Sequence, residues 1–197
     1  MMGPYIIFAS LANGATLALY EGSPVSPGFC KAVEEMEVTV LGVIPSMVKA
    51  WRRLNWEYDW SKIKCFTSTG EAELTDSVRN HIYTYIPHVK GCIVRVYAYF
   101  SSGEASHPDD YKWLSDRARA GCPIIEYCGG TELGGAFVSS TVDDEFQPSQ
   151  FHLPAFGSAF DLSDDNEVML RIPSLGMSVE LLNHDHEKVN CRIYSSW

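Results

Sequence analysis

A run of glycines around one hydroxyl and one carboxylate carries the clearest chemistry in this 197-residue chain. In Ile124-Ile125-Glu126-Tyr127-Cys128-Gly129-Gly130-Thr131-Glu132-Leu133-Gly134-Gly135 an apolar, strand-forming stretch breaks into paired glycines. Glycine takes positive φ without a Cβ penalty and lets the backbone come close to a ligand. The Thr131 hydroxyl is a donor suited to a phosphate, and the Glu132 carboxylate is a hard oxygen ligand for a cation such as Mg²⁺. A glycine-rich turn after a strand also occurs as a plain structural loop, so these residues leave a nucleotide-contacting turn and a structural one both open.

Such a turn needs a strand ahead of it and a sheet around that strand. The pattern predicts a short apolar helix over 4–11, a buried strand over 15–20, a turn at 21–24 and a helix over 28–36. A β-branched strand over 38–43, a helix over 45–54 and a strand over 63–67 follow. A helix over 108–118 carries Asp109 and Asp110 in its first turn, where the helix dipole favours them. The strand over 123–127 then feeds the glycines. Beyond them, 137–140 and 168–172 read as strands, and 143–145 and 161–167 as solvated loops. Alternation of this kind builds parallel βαβ units. The fold class is α/β, a mostly parallel sheet with flanking helices and a short irregular C-terminal β region, and ligands of such sheets gather at the carboxyl ends of the strands.

Composition narrows the function classes. With 15 basic and 25 acidic side chains the net charge is −10, which opposes nucleic-acid and anionic-membrane roles. Any bound phosphate must be held by local backbone groups and a metal. The six cysteines, Cys30, Cys65, Cys92, Cys122, Cys128 and Cys191, form no C-x-x-C pair, so neither a zinc site nor a redox dithiol is expected, and a reducing compartment is. Residues 1–20 lack a basic leader and are interrupted by Asn13-Gly14; no signal peptide, transmembrane segment or other targeting signal is expected.

Ser68-Thr69-Gly70-Glu71-Ala72 returns as Ser101-Ser102-Gly103-Glu104-Ala105, 103 − 70 = 33 positions later. Removing residues 73–105 on paper joins the first copy to Ser106-His107-Pro108 in one strand, glycine turn and capped helix. Residues 73–105 therefore read as an insertion. Its segments 82–86 and 92–99 are aromatic and β-prone, fit for an added hairpin or an aggregation-prone surface.

Four segments in order, GPYIIFASLANGATLALYEGSP, VTVLGVIPSMVKAW, STGEA and IIEYCGGTELGG, resemble the adenylate-forming (AMP-binding) enzyme superfamily. Within it they look closest to the acetate and short-chain acyl-CoA ligases, and especially to plant acyl-activating enzymes. The resemblance implies a two-step acid–CoA ligase using ATP, Mg²⁺ and CoA: a small carboxylic acid and ATP give acyl-AMP and pyrophosphate, and the CoA thiol then displaces AMP. By matching positions, Thr131 is expected to reach the α-phosphate and Glu132 to hold Mg²⁺. Tyr127, Cys128, Gly129 and Gly130 are expected near the nucleotide, and Ile44-Pro45-Ser46 near the acyl chain. The Gly-Glu-Ala turn against adenine falls either to Gly70, Glu71 and Ala72 or to Gly103, Glu104 and Ala105, the second copy being favoured because it leads into the 108–118 helix.

The family's upstream phosphate loop, its ribose-binding Asp and its small C-terminal domain have no counterpart here, so the chain reads as a fragment of the large N-terminal domain without full ligase activity. A non-catalytic AMP- or acyl-binding module, one that pairs with a full-length relative, and a splicing or gene-model product stand as alternatives. The resemblance implies fatty acid metabolism in the cytoplasm or the peroxisomal lumen.

Other clusters read as structure. His184-Asp185-His186-Glu187 is a polar turn with metal-capable side chains. Ser68 and Ser101 lie near His81 and His107 without a third triad member. Trp51, Trp56 and Trp60 beside Lys49, Arg52 and Arg53 are expected to pack a helix on the sheet and not to bind nucleic acid.

Overall fold

The computed structural model describes residues 2–69, 73–74, 93–96, 106–130, 135–143, 147–151, 153–162 and 168–171. Four helices are described: α1 (Met2–Ala12), α2 (Pro27–Glu35), α3 (Pro45–Leu54) and α4 (Pro108–Ala118). Three begin on the same local device, a proline at the first helical position, where its missing N–H costs nothing. Ser26 caps α2 by accepting the Phe29 N–H at 3.2 Å, and the His107 ring accepts the Asp109 N–H at 3.3 Å at the start of α4. Asn55 ends α3 in the left-handed conformation, which asparagine tolerates better than most residues.

The main sheet runs β1-β2-β5-β6-β8. Strands β1 (Val40–Val43), β2 (Cys65–Thr69) and β5 (Ile124–Gly130) are parallel. Beyond β5 the direction reverses: β6 (Gly135–Ser139) and β8 (Leu153–Pro154) pair antiparallel. Strands β3 (Glu73–Leu74) and β7 (Gln150–Phe151) form a small parallel pair. Strands β4 (Ile93–Val96), β10 (Val168–Arg171) and β9 (Ala159–Leu162) form an antiparallel sheet. The parallel unit expected around the glycine turn is present, and β9 takes the first two residues of the expected 161–167 loop.

One expectation fails. Residues 15–20 form no strand, although they have a strand's composition. Strand propensity expresses packing against neighbouring strands, and no partner strand lies beside this segment among the described residues; Leu19 is 78% exposed. The 82–86 segment and the His184–Glu187 cluster lie outside the described residues.

The core fills one face of the parallel strands. Leu41 and Val43, Phe66, and Ile124 point into it, with Cys30 and Val33 of α2, Val48 and Trp51 of α3, and Tyr111, Leu114 and Ala118 of α4. Aromatic contacts run through it: Tyr20 meets Phe29 edge-on at 5.3 Å, Phe29 stacks on Trp51 at 5.7 Å, Trp51 meets Trp60 edge-on at 5.3 Å, and Trp60 leans on Phe66 at 6.4 Å. Buried indoles need partners for their N–H; Trp51 donates to the Pro24 carbonyl at 2.9 Å and Trp60 to that of Cys30 at 3.4 Å. The tryptophans therefore pack helices on the sheet as expected, while Arg52 reaches across to Asp110 at 2.6 Å.

Truncating Trp51 removes two ring contacts and leaves the Pro24 carbonyl without its donor. Trp51→Ala is expected to lower unfolding free energy in urea by about 3–5 kcal/mol, and Trp51→Phe, which keeps a ring, by distinctly less. Equal losses for the two would show that ring packing is not what this residue supplies.

Candidate functional site

The glycine turn sits where the sheet changes direction. Strand β5 leaves the parallel unit at its carboxyl end, and β6 returns beside it with the register Cys128↔Val138, Gly129↔Ala136 and Gly130↔Gly135. The four-residue connection holding Thr131 and Glu132 lies outside the described residues. It thus joins two antiparallel strands, and its anchors are fixed on both sides.

Gly129 shows why glycine is needed at the first anchor. The register shifts between Cys128 and Gly129, and a Cβ on Gly129 would lie 2.0 Å from the Gly135 carbonyl oxygen and 2.5 Å from the Ala136 Cα. Both obstacles are backbone. The space freed by the absent side chain is filled by β6, so this glycine sets the path of the turn.

Neighbouring strand ends converge on the same edge. Val43 of β1 is level with Ser68 of β2, Ser68 with Glu126 of β5, and Thr69 with Tyr127. Ile44 and Pro45 follow β1 directly into α3. Gly70, Glu71 and Ala72 follow Thr69 and lie outside the described residues, as do Gly103, Glu104 and Ala105, which precede Ser106. Ser106 donates to the Ser149 hydroxyl at 2.9 Å, and the Ser149 amide donates to Glu126. The described ends flanking both Gly-Glu-Ala copies therefore meet at one edge, next to β5.

Tyr127 and Cys128 are half-buried, and burial pushes the Tyr127 phenol above its ordinary pKa of 10.0, leaving it protonated at neutral pH. Ser68 is not poised as a nucleophile: its hydroxyl is 2.5 Å from that of Tyr111 in the core. The His107 ring is engaged as a helix cap. None of the four described cysteines is in a disulfide, and burial raises the Cys30 thiol to about 11, far from a reactive thiolate.

Sequence patterning missed Glu126. Its side chain is 1% exposed, on the core face two residues after Ile124, and that parity was the available signal. Its Oε2 accepts the Ser149 N–H at 2.7 Å while Oε1 is buried without a hydrogen-bond partner. Burial raises its pKa above the ordinary 4.5, with the Ser106 hydroxyl and the Ser149 and Gln150 amides pulling the other way. Facing inward and tied to Ser149, it is not a candidate metal ligand. Among the described residues no group of three or more His, Cys, Asp and Glu could hold a metal. Nor is any helix among them long and apolar enough to cross a membrane.

A small cavity against Cys30, Trp56, Tyr58, Trp113 and Arg117 is about 10 Å³, room for one water. It offers no place for a nucleotide.

Comparison with known proteins fits this geometry. The model of the AMP-binding enzyme family matches residues 1–173. The chain is 39% identical to "Probable acyl-activating enzyme 17, peroxisomal" of Arabidopsis thaliana and 37% identical to hexanoyl-CoA synthase of Cannabis sativa, in each case over 96% of this chain. It spans 23% and 24% of those relatives' lengths. Acetoacetyl-CoA synthetase from Streptomyces lividans shares the fold, with a TM-score of 0.64 at 19% identity, covering 100% of this chain and 28% of that one.

Gly129→Ala is expected to destabilise by about 1–3 kcal/mol or more, because backbone must move to admit one methyl. Gly42, whose added Cβ would make only an ordinary 3.6 Å contact with Thr67, is the control: Gly42→Ala should change stability by less than about 0.5 kcal/mol. Equal effects in chemical denaturation would refute the close β5–β6 approach.

Proposed function

Because the chain belongs to the AMP-binding enzyme family, we propose that it supplies the nucleotide turn of an acid–CoA ligase and binds AMP weakly by itself. The supporting observation is the junction at which β5 leaves the parallel unit, narrows at Gly129 and enters the Thr131-Glu132 connection. That connection springs from the carboxyl end of a parallel strand, where open α/β sheets bind ligands.

In the reaction proposed for the whole ligase, a carboxylate oxygen attacks the α-phosphorus of ATP and pyrophosphate leaves. The CoA sulfur then attacks the acyl carbon, and AMP leaves with the electron pair of the broken C–O bond. Thr131 donates a hydrogen bond to an α-phosphate oxygen, and Glu132 offers one carboxylate to Mg²⁺. A single protein carboxylate would suit that ion, whose sites commonly combine one or two carboxylates with substrate phosphates. When bound, it neutralises charge developing on the phosphate. The Gly-Glu-Ala copy facing adenine is Gly103-Glu104-Ala105 on this reading, with Gly70-Glu71-Ala72 as its rival at the same edge; Tyr127, Cys128 and Gly130 line the approach. Residues 73–105 remain, on this reading, an insertion in the domain.

The 197 residues span under a quarter of the length of the two plant relatives. Orientation and electrostatic stabilisation each contribute many orders of magnitude to such rates, so the chain alone is assigned binding without turnover. Similarity to a probable peroxisomal acyl-activating enzyme of Arabidopsis thaliana supports a peroxisomal address.

A second reading, pairing with a full-length relative, is favoured by exposed apolar surface. Helix α1 leaves Ile6, Ile7, Phe8 and Leu11 exposed, Phe8 and Leu11 at 72% each, and a helix apolar all round belongs in an interior. The outer sheet face leaves Val40 at 59%, whereas parallel sheets are ordinarily covered on both faces.

Calorimetry with AMP and Mg²⁺ up to millimolar concentration is expected to show binding, weakened about tenfold or more by Thr131→Val or Glu132→Ala, as for loss of a charge-assisted contact. Absence of heat in the unaltered chain would remove the nucleotide reading. Pyrophosphate release with acetate, ATP, Mg²⁺ and CoA should be undetectable; robust turnover would overturn the division between binding and catalysis. For the pairing reading, co-expression with a full-length acyl-activating enzyme should give a co-sedimenting complex that Phe8→Glu abolishes. Independent sedimentation would reject it.

A further inference from the structure

We propose that Glu126 is a proton-controlled latch, fastening residues 147–151 to β5 directly behind the glycine turn. The contact that closes it is the Ser149 N–H donating to Oε2 at 2.7 Å. Ser149 holds a φ of 62°, an uncommon conformation for a residue with a side chain, and it is fixed from two sides. Its amide goes to Glu126 and its hydroxyl receives that of Ser106. Immediately beyond it, Gln150 and Phe151 pair with β3, and Phe151 is buried. The Glu126 amide is itself held, donating to Ser140 Oγ at 3.0 Å. One carboxyl thus joins β5, the run into α4 and the 147–151 segment.

The neighbourhood decides which protonation state closes the latch. From β2 the facing group is Ser68. From α4 and the run before it come the Ser106 hydroxyl and the Tyr111 phenol, while Asp110 is engaged with Arg52 and His107 with the helix end. After β6 comes Ser140, and from 147–151 the Ser149 and Gln150 amides. No Lys, Arg or His forms an ion pair with Glu126 among the described residues.

A carboxylate at this point carries a buried charge with no ion-pair partner among the described residues and an Oε1 without a hydrogen-bond partner, which is costly. The neutral acid removes the charge. Oε2 still accepts the Ser149 N–H, and the proton sits on the buried Oε1. Ionisation transfers that proton to solvent and leaves the charge behind.

Burial raises the folded-state pKa above 4.5, so the folded chain keeps this proton to higher pH than the unfolded chain does. The latch's contribution is fully present below the unfolded pKa and is lost as pH rises through the folded one. Between the two values the folding equilibrium constant falls by up to about tenfold per pH unit.

The test compares urea unfolding of the full 197-residue chain with that of Glu126→Gln, whose side-chain carbonyl still accepts the Ser149 N–H and cannot ionise, from about pH 4.5 to pH 8. The stability of the unaltered chain relative to Glu126→Gln is expected to fall with pH across this window. A ratio that is flat or rises with pH overturns the latch. Glu126→Ala, which lacks the acceptor, should be less stable than Glu126→Gln at each pH and should exchange its Ser149 amide faster; unchanged exchange there also overturns it.

A readout in the unaltered chain does not depend on either variant folding. Exchange of the Ser149 amide, taken relative to that of Val138 in β6 at the same pH to cancel intrinsic base catalysis, should accelerate as pH rises. A constant ratio refutes the proposal.

Discussion

Ring contacts running from Tyr20 through Phe29, Trp51 and Trp60 to Phe66 carry the geometry of the rest. Each aromatic pair adds about 0.5–1.5 kcal/mol beyond the area it buries, but direction matters as much as energy. Trp51 on α3 touches the ring from α2 on one side and Trp60 on the other, and Trp60 reaches Phe66 on β2. The relative placement of two helices and the sheet is therefore set by flat surfaces that fit in few ways, and the two indole N–H groups fix the remaining rotation through the Pro24 and Cys30 carbonyls. The carboxyl ends of β1, β2 and β5 stay level because the layer beneath them cannot slide.

The core face changes character along its length. Toward the amino ends of the strands it is apolar, with Leu41, Phe66 and Ile124; two residues further along each strand stand Val43, Ser68 and Glu126, level with one another. Buried polar side chains demand specific partners where apolar ones accept any close fit. The buried layer that holds Ser68 and Glu126 is thus the most exacting part of this face. Ser68 meets Tyr111, and Glu126 meets Ser149.

Much of this was legible in residue order. Proline at the first position and Asn55 at the end delimit α3 where the pattern places it, and the alternation of strands and helices predicts the parallel unit because its crossovers are short and local in sequence. Residues 15–20 depart from the pattern for a physical reason: their composition expresses a preference for a partner strand and not its presence. Glu126 is a lone carboxylate in Ile-Ile-Glu-Tyr with no motif around it to mark it, and its parity with Ile124 is the one sign that it points inward. The role of Gly129 was hidden more deeply. A glycine beside a hydroxyl and a carboxylate looks like room for a ligand, and only the antiparallel return of β6 shows backbone filling that room. Thr131, Glu132 and both Gly-Glu-Ala copies lie outside the described residues and are proposed from the order of the motifs, which fixes their neighbours along the chain but not their distances.

The pairing of β2 with β5 encloses a long loop. Between Thr69 and Ile124 lie 123 − 69 = 54 residues, and without a segment of 33 there would be 21. Closure entropy grows only as the logarithm of length, so the longer loop costs about 0.8 kcal/mol more than the shorter one, treating both as flexible. The thermodynamic barrier to lengthening the chain at this point is small beside a single buried tryptophan. A sheet joined in this way can acquire sequence between two adjacent strands and keep their register, so long as the added residues do not compete for the faces and edges that the two strands already use.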